Sequence, residues 1–318
     1  MLNEIFPAAV APSRRDFLQR SVQATAALAA TAAWPGPCAL AADNEPAPPR
    51  YRIGVCDWMI LKRQRLGAFD RAREIGVDGL EVDMGSLGDR DTFASALADA
   101  AVRDEFQAAA QRTNLQICSL AMSGFYAQSF AERPTYERMV GDCLRTMQQM
   151  GVKVCFLPLG VRGDLQQHPQ LRPTIVERLQ TVGATAAAAG LTIGVETALD
   201  AADEARLLDD IGSPAVRSYF NFANALQNGR DLLAELRTLG KQRICQIHCT
   251  DEDGVWLENN KRLDLPAVKQ TLDEMDWSGW LVMERSRDAT RSRDVVGNYR
   301  ANARYLKRVF QGAAAGEE

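Results

Sequence analysis

Four polar side chains recur at near-regular intervals in the second half of the chain: Glu196, Asn221, His248 and Glu284. Each lies towards the end of a short β-prone segment, in turn LTIGVET, VRSYFNFAN, RICQIHCTD and WLVMERS. The gaps of 25, 27 and 36 residues are about one strand plus one helix apiece. Such spacing places one side chain at the C-terminal end of each of four successive strands in a parallel barrel, where side chains converge on one mouth. Two carboxylates, an amide oxygen and an imidazole meeting there make a divalent-metal site of hard oxygen character, for Mn²⁺, Zn²⁺, Co²⁺ or Mg²⁺. The chemistry that suits this set is proton abstraction next to a carbonyl, with the metal as Lewis acid and Glu196 or Glu284 moving the proton.

The elements that must position these residues are legible as alternating patterns from Tyr51 to Gln311. Strands are expected at Tyr51–Trp58, Gly79–Met84, Leu115–Met122, Lys153–Pro158, Leu191–Thr197, Val216–Phe222, Arg243–Cys249 and Gly279–Arg285. Helical periodicity follows each one, at Leu66–Ile75, Thr92–Arg112, Thr135–Met150, Pro173–Ala189, Ala202–Asp210, Asp231–Leu239, Leu265–Glu274 and Ser292–Phe310. The alternation predicts an α/β fold, a single (β/α)₈ TIM barrel over 51–312. No G-x-G-x-x-G follows the first strand, which argues against an open dinucleotide-binding sheet. Parity supports the barrel: Leu191, Ile193 and Val195 share the face towards the helices, while Thr192, Gly194 and Glu196 share the face towards the axis. By the same rule Gln246 and His248, Val282 and Glu284, and Gly79, Glu81 and Asp83 point inward.

These segments resemble the xylose isomerase-like barrel family, often called sugar phosphate isomerases/epimerases. The likeness runs from Gly194-Val195-Glu196 through Tyr219–Asn224 and Gln246–Asp251 to Gly279–Glu284, with Leu263-Asp264-Leu265-Pro266 leading into the helix before strand eight. It implies one divalent metal bound through Glu, Asp, His and Glu on strands five to eight, hence Glu196, Asn221, His248 and Glu284. The residue on strand six departs from that pattern, being Asn221 in place of aspartate, so the site loses one formal negative charge. An amide oxygen still coordinates hard cations, with weaker binding expected. Asn224 stands where sugar epimerases of the family often place a histidine.

Further side chains are candidates for holding substrate: Trp58 as an apolar wall for a sugar face, Glu81 towards hydroxyls, His168 in the loop after strand four, Asn224, Asp251, and Arg287 beyond the last ligand. Phe125 and Tyr126, after strand three, are placed to cover the site. The preferred reading is a metal-dependent periplasmic sugar or keto-sugar isomerase/epimerase. The alternatives are a lyase or dehydratase on keto glycosides and a non-catalytic carbohydrate-binding barrel whose metal site is degenerate, the latter suggested by Asn221. The multi-zinc nucleases of the same broad fold need many histidines, and this chain has two.

The N-terminal residues read as an address. Ser13-Arg14-Arg15-Asp16-Phe17-Leu18 approximates a twin-arginine motif, Ser21–Ala33 is a weakly hydrophobic run, and Ala39-Leu40-Ala41 offers a cleavage site. Residues 1–41 are therefore expected to direct export through the twin-arginine machinery to the periplasm. Residues 42–50 form a Pro-rich lead-in, and 313–318 a C-terminal tail. The net charge of −4 without a basic stripe argues against nucleic-acid partners, and no later segment is long and apolar enough to span a bilayer. Six cysteines follow the leader without a C-x-x-C pair and are expected as buried thiols. Oligomeric state is left open.

Overall fold

The computed structural model describes residues 49–313. The expected leader at 1–41 lies outside them, as do residues 42–48 of the lead-in and 314–318 of the tail. The eight expected strands are all present: β1 (Tyr51–Cys56), β2 (Gly79–Asp83), β3 (Gln116–Ala121), β4 (Val154–Pro158), β5 (Thr192–Glu196), β6 (Val216–Asn221), β7 (Ile244–His248) and β8 (Gly279–Met283). They pair in chain order, and β1 closes on β8 to make a parallel barrel. Most end one or two residues sooner than periodicity suggests, because the chain leaves the ladder as soon as it clears the rim.

The outer helices are α1 (Gly67–Ile75), α2 (Ala100–Thr113), α3 (Tyr136–Met150), α4 (Arg172–Ala188), α5 (Ala201–Ile211), α6 (Phe222–Gln227), α7 (Leu232–Arg243), α8 (Leu265–Glu274) and α9 (Val295–Gln311). The expected start of α2 at Thr92 is too early. A short 3₁₀ turn at Ala96–Ala98 intervenes, and the helix begins after Asp99, whose carboxylate accepts the Ala101 N–H. The short helix α6 was not visible as a separate pattern. It springs directly from the end of β6, capped by the Asn221 side chain.

Apolar packing falls into two zones, as parity requires. Outward residues such as Ile193, Val195, Ile247, Leu281 and Met283 join one large core between barrel and helices. The lumen holds smaller clusters, Cys56–Cys118–Trp280–Val282 and Ala121–Phe156–Tyr219. Trp280 closes the base of the barrel, with the Arg52 guanidinium 4.4 Å above its ring. Gly194 must be glycine for a packing reason: a Cβ there would lie 2.8 Å from Cys245 Sγ and 2.9 Å from the Tyr219 ring. Two bulges adjust the inward set. Leu80 and Glu81 pair with Ile117 and Ser119, leaving Cys118 extra, and Ser218 and Tyr219 pair with Ile244 and Gln246, leaving Cys245 extra. All six cysteines of the described region are free thiols. No helix among the described residues is long and apolar enough to cross a membrane.

Behind β5 a buried acid, Glu204 on α5, accepts the Thr197 hydroxyl at 3.1 Å. Burial pushes its carboxyl up to about 7, against the hydroxyls of Ser218 and Thr197. A folded-state value above the unfolded one makes the protonated form the stable one, so stability declines as pH rises through about 7. Glu204→Gln mimics that form. It should be near neutral at pH 4 and stabilising at pH 8 by about 3 kcal/mol at most, read from urea unfolding at the two pH values; an effect independent of pH would contradict the assignment.

Candidate active site

Glu196, Asn221, His248 and Glu284 meet at the mouth, where β5, β6, β7 and β8 end. Asn221 and His248 are paired across the β6–β7 ladder, which fixes their relative height. His248 Nδ1 lies 3.0 Å from Glu196 Oε2. Asn221 Nδ2 donates to Glu196 Oε2 at 2.9 Å and to Glu284 Oε2 at 3.3 Å. Asn221 Oδ1 is turned away and accepts the Ala223 N–H at 2.9 Å. The backbone of Glu284 is held by Thr250 Oγ1, which accepts its N–H, and by Tyr299, whose hydroxyl donates to its carbonyl at 2.7 Å.

Beneath His248 sits Glu81, with no exposed surface. Its Oε2 accepts from Ser119 and from Tyr219, both at 2.6 Å, and the Gln246 amide donates to those two hydroxyls in turn. His248 Nε2 therefore donates to Glu81 Oε1 at 3.0 Å, because Glu81 has only acceptors to offer. Burial works to raise the Glu81 pKa, but the His248 charge and these donors hold it below the usual glutamate value. For His248 burial works the other way, and Glu81, Glu196 and Glu284 together raise its pKa well above that of an ordinary imidazole. Burial also raises Glu284, helped by the charge of Glu196 and opposed by that of His248.

A divalent cation would sit on the Nδ1 side of His248, beside Glu196. A ring fixed through Nε2–H on a carboxylate presents its other nitrogen to a metal, the usual support for a ligating histidine. Glu196 and, across the Asn221 amide, Glu284 would supply hard oxygen. A second group, Cys56, Glu81 and His248, has potential ligand atoms within 4.8 Å of one another. That group suits a cation poorly: burial and the neighbouring Glu81 charge hold the Cys56 thiol well above its ordinary pKa, and Nε2 is already committed.

A cleft of about 510 Å³ opens above Glu284 and is lined by Trp58, Arg63, Ser123, Tyr126 and Arg285 among others. Trp58 is thus where a sugar-binding wall was expected. Glu81 is not a lining residue; it sits below His248 and holds that ring. Asn224 lies on α6 and donates to the Thr197 carbonyl, tying the helix to the end of β5. Asp251 is paired with Arg262 at 2.6 Å and accepts from Asn260, and Arg287 is paired with Asp253, so both brace loops. His168 caps a short turn in the β4–α4 loop through its backbone and does not line the cleft. The residue with a larger part than expected is Tyr126, whose hydroxyl donates to Glu196 Oε1 at 2.9 Å. Burial and the charges of Glu196 and Glu284 push its pKa well up, so it stays a donor. Its position after β3 was visible in the sequence, but not its partner.

The profile of the family described as xylose isomerase-like TIM barrel matches residues 69–309. A 2-epi-5-epi-valiolone 7-phosphate 2-epimerase from an Actinoplanes species is 25% identical over 209 residues, 63% of this chain and 72% of that protein. Among solved structures, a 3-keto-D-glucoside 4-epimerase from E. coli superposes with a TM-score of 0.64 at 18% identity, covering 81% of this chain and 99% of that one. A D-psicose 3-epimerase from Clostridium cellulolyticum H10 gives 0.64 at 12% identity, with coverage of 81% and 99%. A D-allulose 3-epimerase from a Methylomonas species gives 0.61 at 14%, with 83% and 98%.

The Glu81–His248 pair yields a direct test. Removing one partner of a buried charged pair costs about 3–5 kcal/mol, since the other charge stays buried. Glu81→Gln, in protein freed of metal by a chelator, should lose about 3 kcal/mol of unfolding free energy in urea. A loss no larger than that of an ordinary surface substitution, about 0.5 kcal/mol, would refute the role given to Glu81.

Proposed function

The chain belongs to the xylose isomerase-like TIM barrel family, and from that premise we propose that it is a metal-dependent sugar or keto-sugar isomerase/epimerase, exported to the periplasm. The observation that carries the reading is an asymmetry between the two carboxylates. Glu196 accepts from Tyr126 and Asn221 and lies 3.0 Å from His248 Nδ1, while Glu284 accepts, among the described residues, only the 3.3 Å contact from Asn221 and faces the cleft. Glu284 is the free base, and its raised pKa makes it a better proton acceptor than an ordinary glutamate. The similar proteins are epimerases by name, which supports the same class of reaction here.

In this scheme the sugar lies between Trp58 and Tyr126, with the carbon next to its carbonyl over Glu284. Glu284 takes the proton from that carbon, the C–H electron pair becomes a C=C bond and the carbonyl π pair moves onto oxygen, giving an enediolate. Glu196, held by Tyr126 and Asn221 and first loaded with a proton from solvent water, returns that proton from the other side. It goes to the same carbon for epimerisation, and to the former carbonyl carbon for isomerisation, where the hydroxyl proton of the first carbon passes to the former carbonyl oxygen. Glu284 then releases its proton to water. A divalent cation held by the strand-end residues would stabilise the charge on the adjacent oxygens. The scarcity of donors on Glu284 keeps its lone pairs available at the start of the cycle, and the Thr250 and Tyr299 contacts keep its backbone still.

The test is exchange of a substrate carbon-bound hydrogen with deuterated water, run over free ketoses and 3-keto glycosides. Glu284→Gln preserves shape but removes the proton acceptor, so exchange should fall on the order of a hundredfold or more. Exchange at the wild-type rate in that variant would take Glu284 out of the chemical step. Export is tested separately: with Arg14 and Arg15 both changed to Lys, the precursor should accumulate in the cytoplasm. Normal periplasmic arrival of that variant would exclude the twin-arginine route.

A further inference from the structure

We infer that Asn221 is not a ligand of the cation: Glu196, His248 and Glu284 are the three protein ligands, and Asn221 is a clamp that donates to both carboxylates. This rests on the proposed reading that a cation binds at the Nδ1 face of His248, and it narrows which residues hold it. The argument turns on which way the amide faces. Asn221 Oδ1 accepts the N–H of Ala223 in the first turn of α6, and Phe222 and Ala223 are both buried. A buried N–H left without an acceptor costs about 1–3 kcal/mol.

Turning the amide over would set its NH₂ against that N–H, and its oxygen against the carboxylate oxygens of Glu196 and Glu284. Three donor–acceptor contacts would become three like-against-like contacts. Ligation through Oδ1 would therefore give up the cap of α6 to gain one weak neutral ligand. An aspartate at this position has two oxygens and could cap the helix with one while ligating with the other. Asparagine has one oxygen, and the helix uses it.

The consequence is a specific affinity pattern. The two N–H groups of Asn221 end on oxygens of Glu196 and Glu284, so they compete with a cation for the same lone pairs. Removing them costs the site no ligand, whereas an oxygen in their place adds one together with a negative charge. Because the clamp joins β5, β6 and β8, the carboxylates are held in position by hydrogen bonds that do not depend on a cation.

The experiment is calorimetric titration of Mn²⁺ into chelator-stripped protein, for wild type, Asn221→Ala, Asn221→Ser and Asn221→Asp, with thermal unfolding of each. Serine can cap the helix but is too short to reach the site, so it stands in should alanine fail to fold. Asn221→Ala and Asn221→Ser should bind Mn²⁺ within about threefold of wild type, with Asn221→Ala unfolding at a lower temperature. Asn221→Asp should bind at least about tenfold more tightly and show the larger Mn²⁺-induced rise in melting temperature. A loss of tenfold or more in Asn221→Ser, or no gain in Asn221→Asp, would show that the amide oxygen ligates and overturn the inference. Failure of all four proteins to bind Mn²⁺ overturns it too and removes the cation from the proposed function. Deuterium exchange abolished by Glu284→Gln would still stand in that case, so the two failures are distinguishable.

Discussion

A carboxylate with no exposed surface lies on the barrel axis, and much of the interior is arranged to keep it charged. Glu81 takes hydrogen bonds from β3 through Ser119, from β6 through Tyr219 and from β7 through His248. An ionised group in such a place is tolerable only if fully paired. Each donor therefore fixes a strand at one height and rotation. Gln246 sets the two hydroxyls, both bulges turn the donors inward, and Gly194 leaves the space that Tyr219 fills. His248, fixed from below, can then offer Nδ1 to the mouth and to Glu196. The rigidity of the site is inherited from the charge beneath it.

Most of the frame could be read in the sequence because strand and helix periods differ, and the eight repeats left little room for another topology. Parity gave the direction of Glu196, Asn221, His248 and Glu284 correctly, since each lies on the same inward face as neighbours that line the lumen. What parity does not encode is depth. Glu81 and Glu284 both point inward, yet one lies under the histidine and the other on the floor of the cleft. The bulges at Cys118 and Cys245 are also silent in the pattern, because a single extra residue changes no composition. Helix α6 escaped for a related reason: six residues are too few for a period, and its start depends on the Asn221 side chain.

Loop residues were the least legible. Asp251 and Arg287 follow the ends of β7 and β8, where catalytic groups gather in such barrels, and a charge at that place reads as functional. Their charges are spent on Arg262 and Asp253, which brace the loops in which they sit. A sequence shows that two opposite charges exist near the rim but not that they find each other. Tyr126 is the converse case. Its position after β3 was visible, while its bond to Glu196 depends on how the β3 loop folds back across the mouth.

The same bookkeeping of donors and acceptors explains how two similar carboxylates can take different parts. Chemically alike groups acquire separate roles when their surroundings push them apart. Here the division comes from the contacts each receives: two donors and the His248 ring on Glu196, and one long contact on Glu284. Among the described residues Asn221 alone hydrogen-bonds to both, so it sets their separation while barely neutralising the second. An aspartate there would add a further negative group to a centre already holding Glu81, Glu196 and Glu284 around one imidazole, and its mutual repulsion would need a cation to offset it. With asparagine the centre keeps its shape through hydrogen bonds alone. Any cost falls on cation affinity, because the carboxylate oxygens that Asn221 holds are the ones a cation would need.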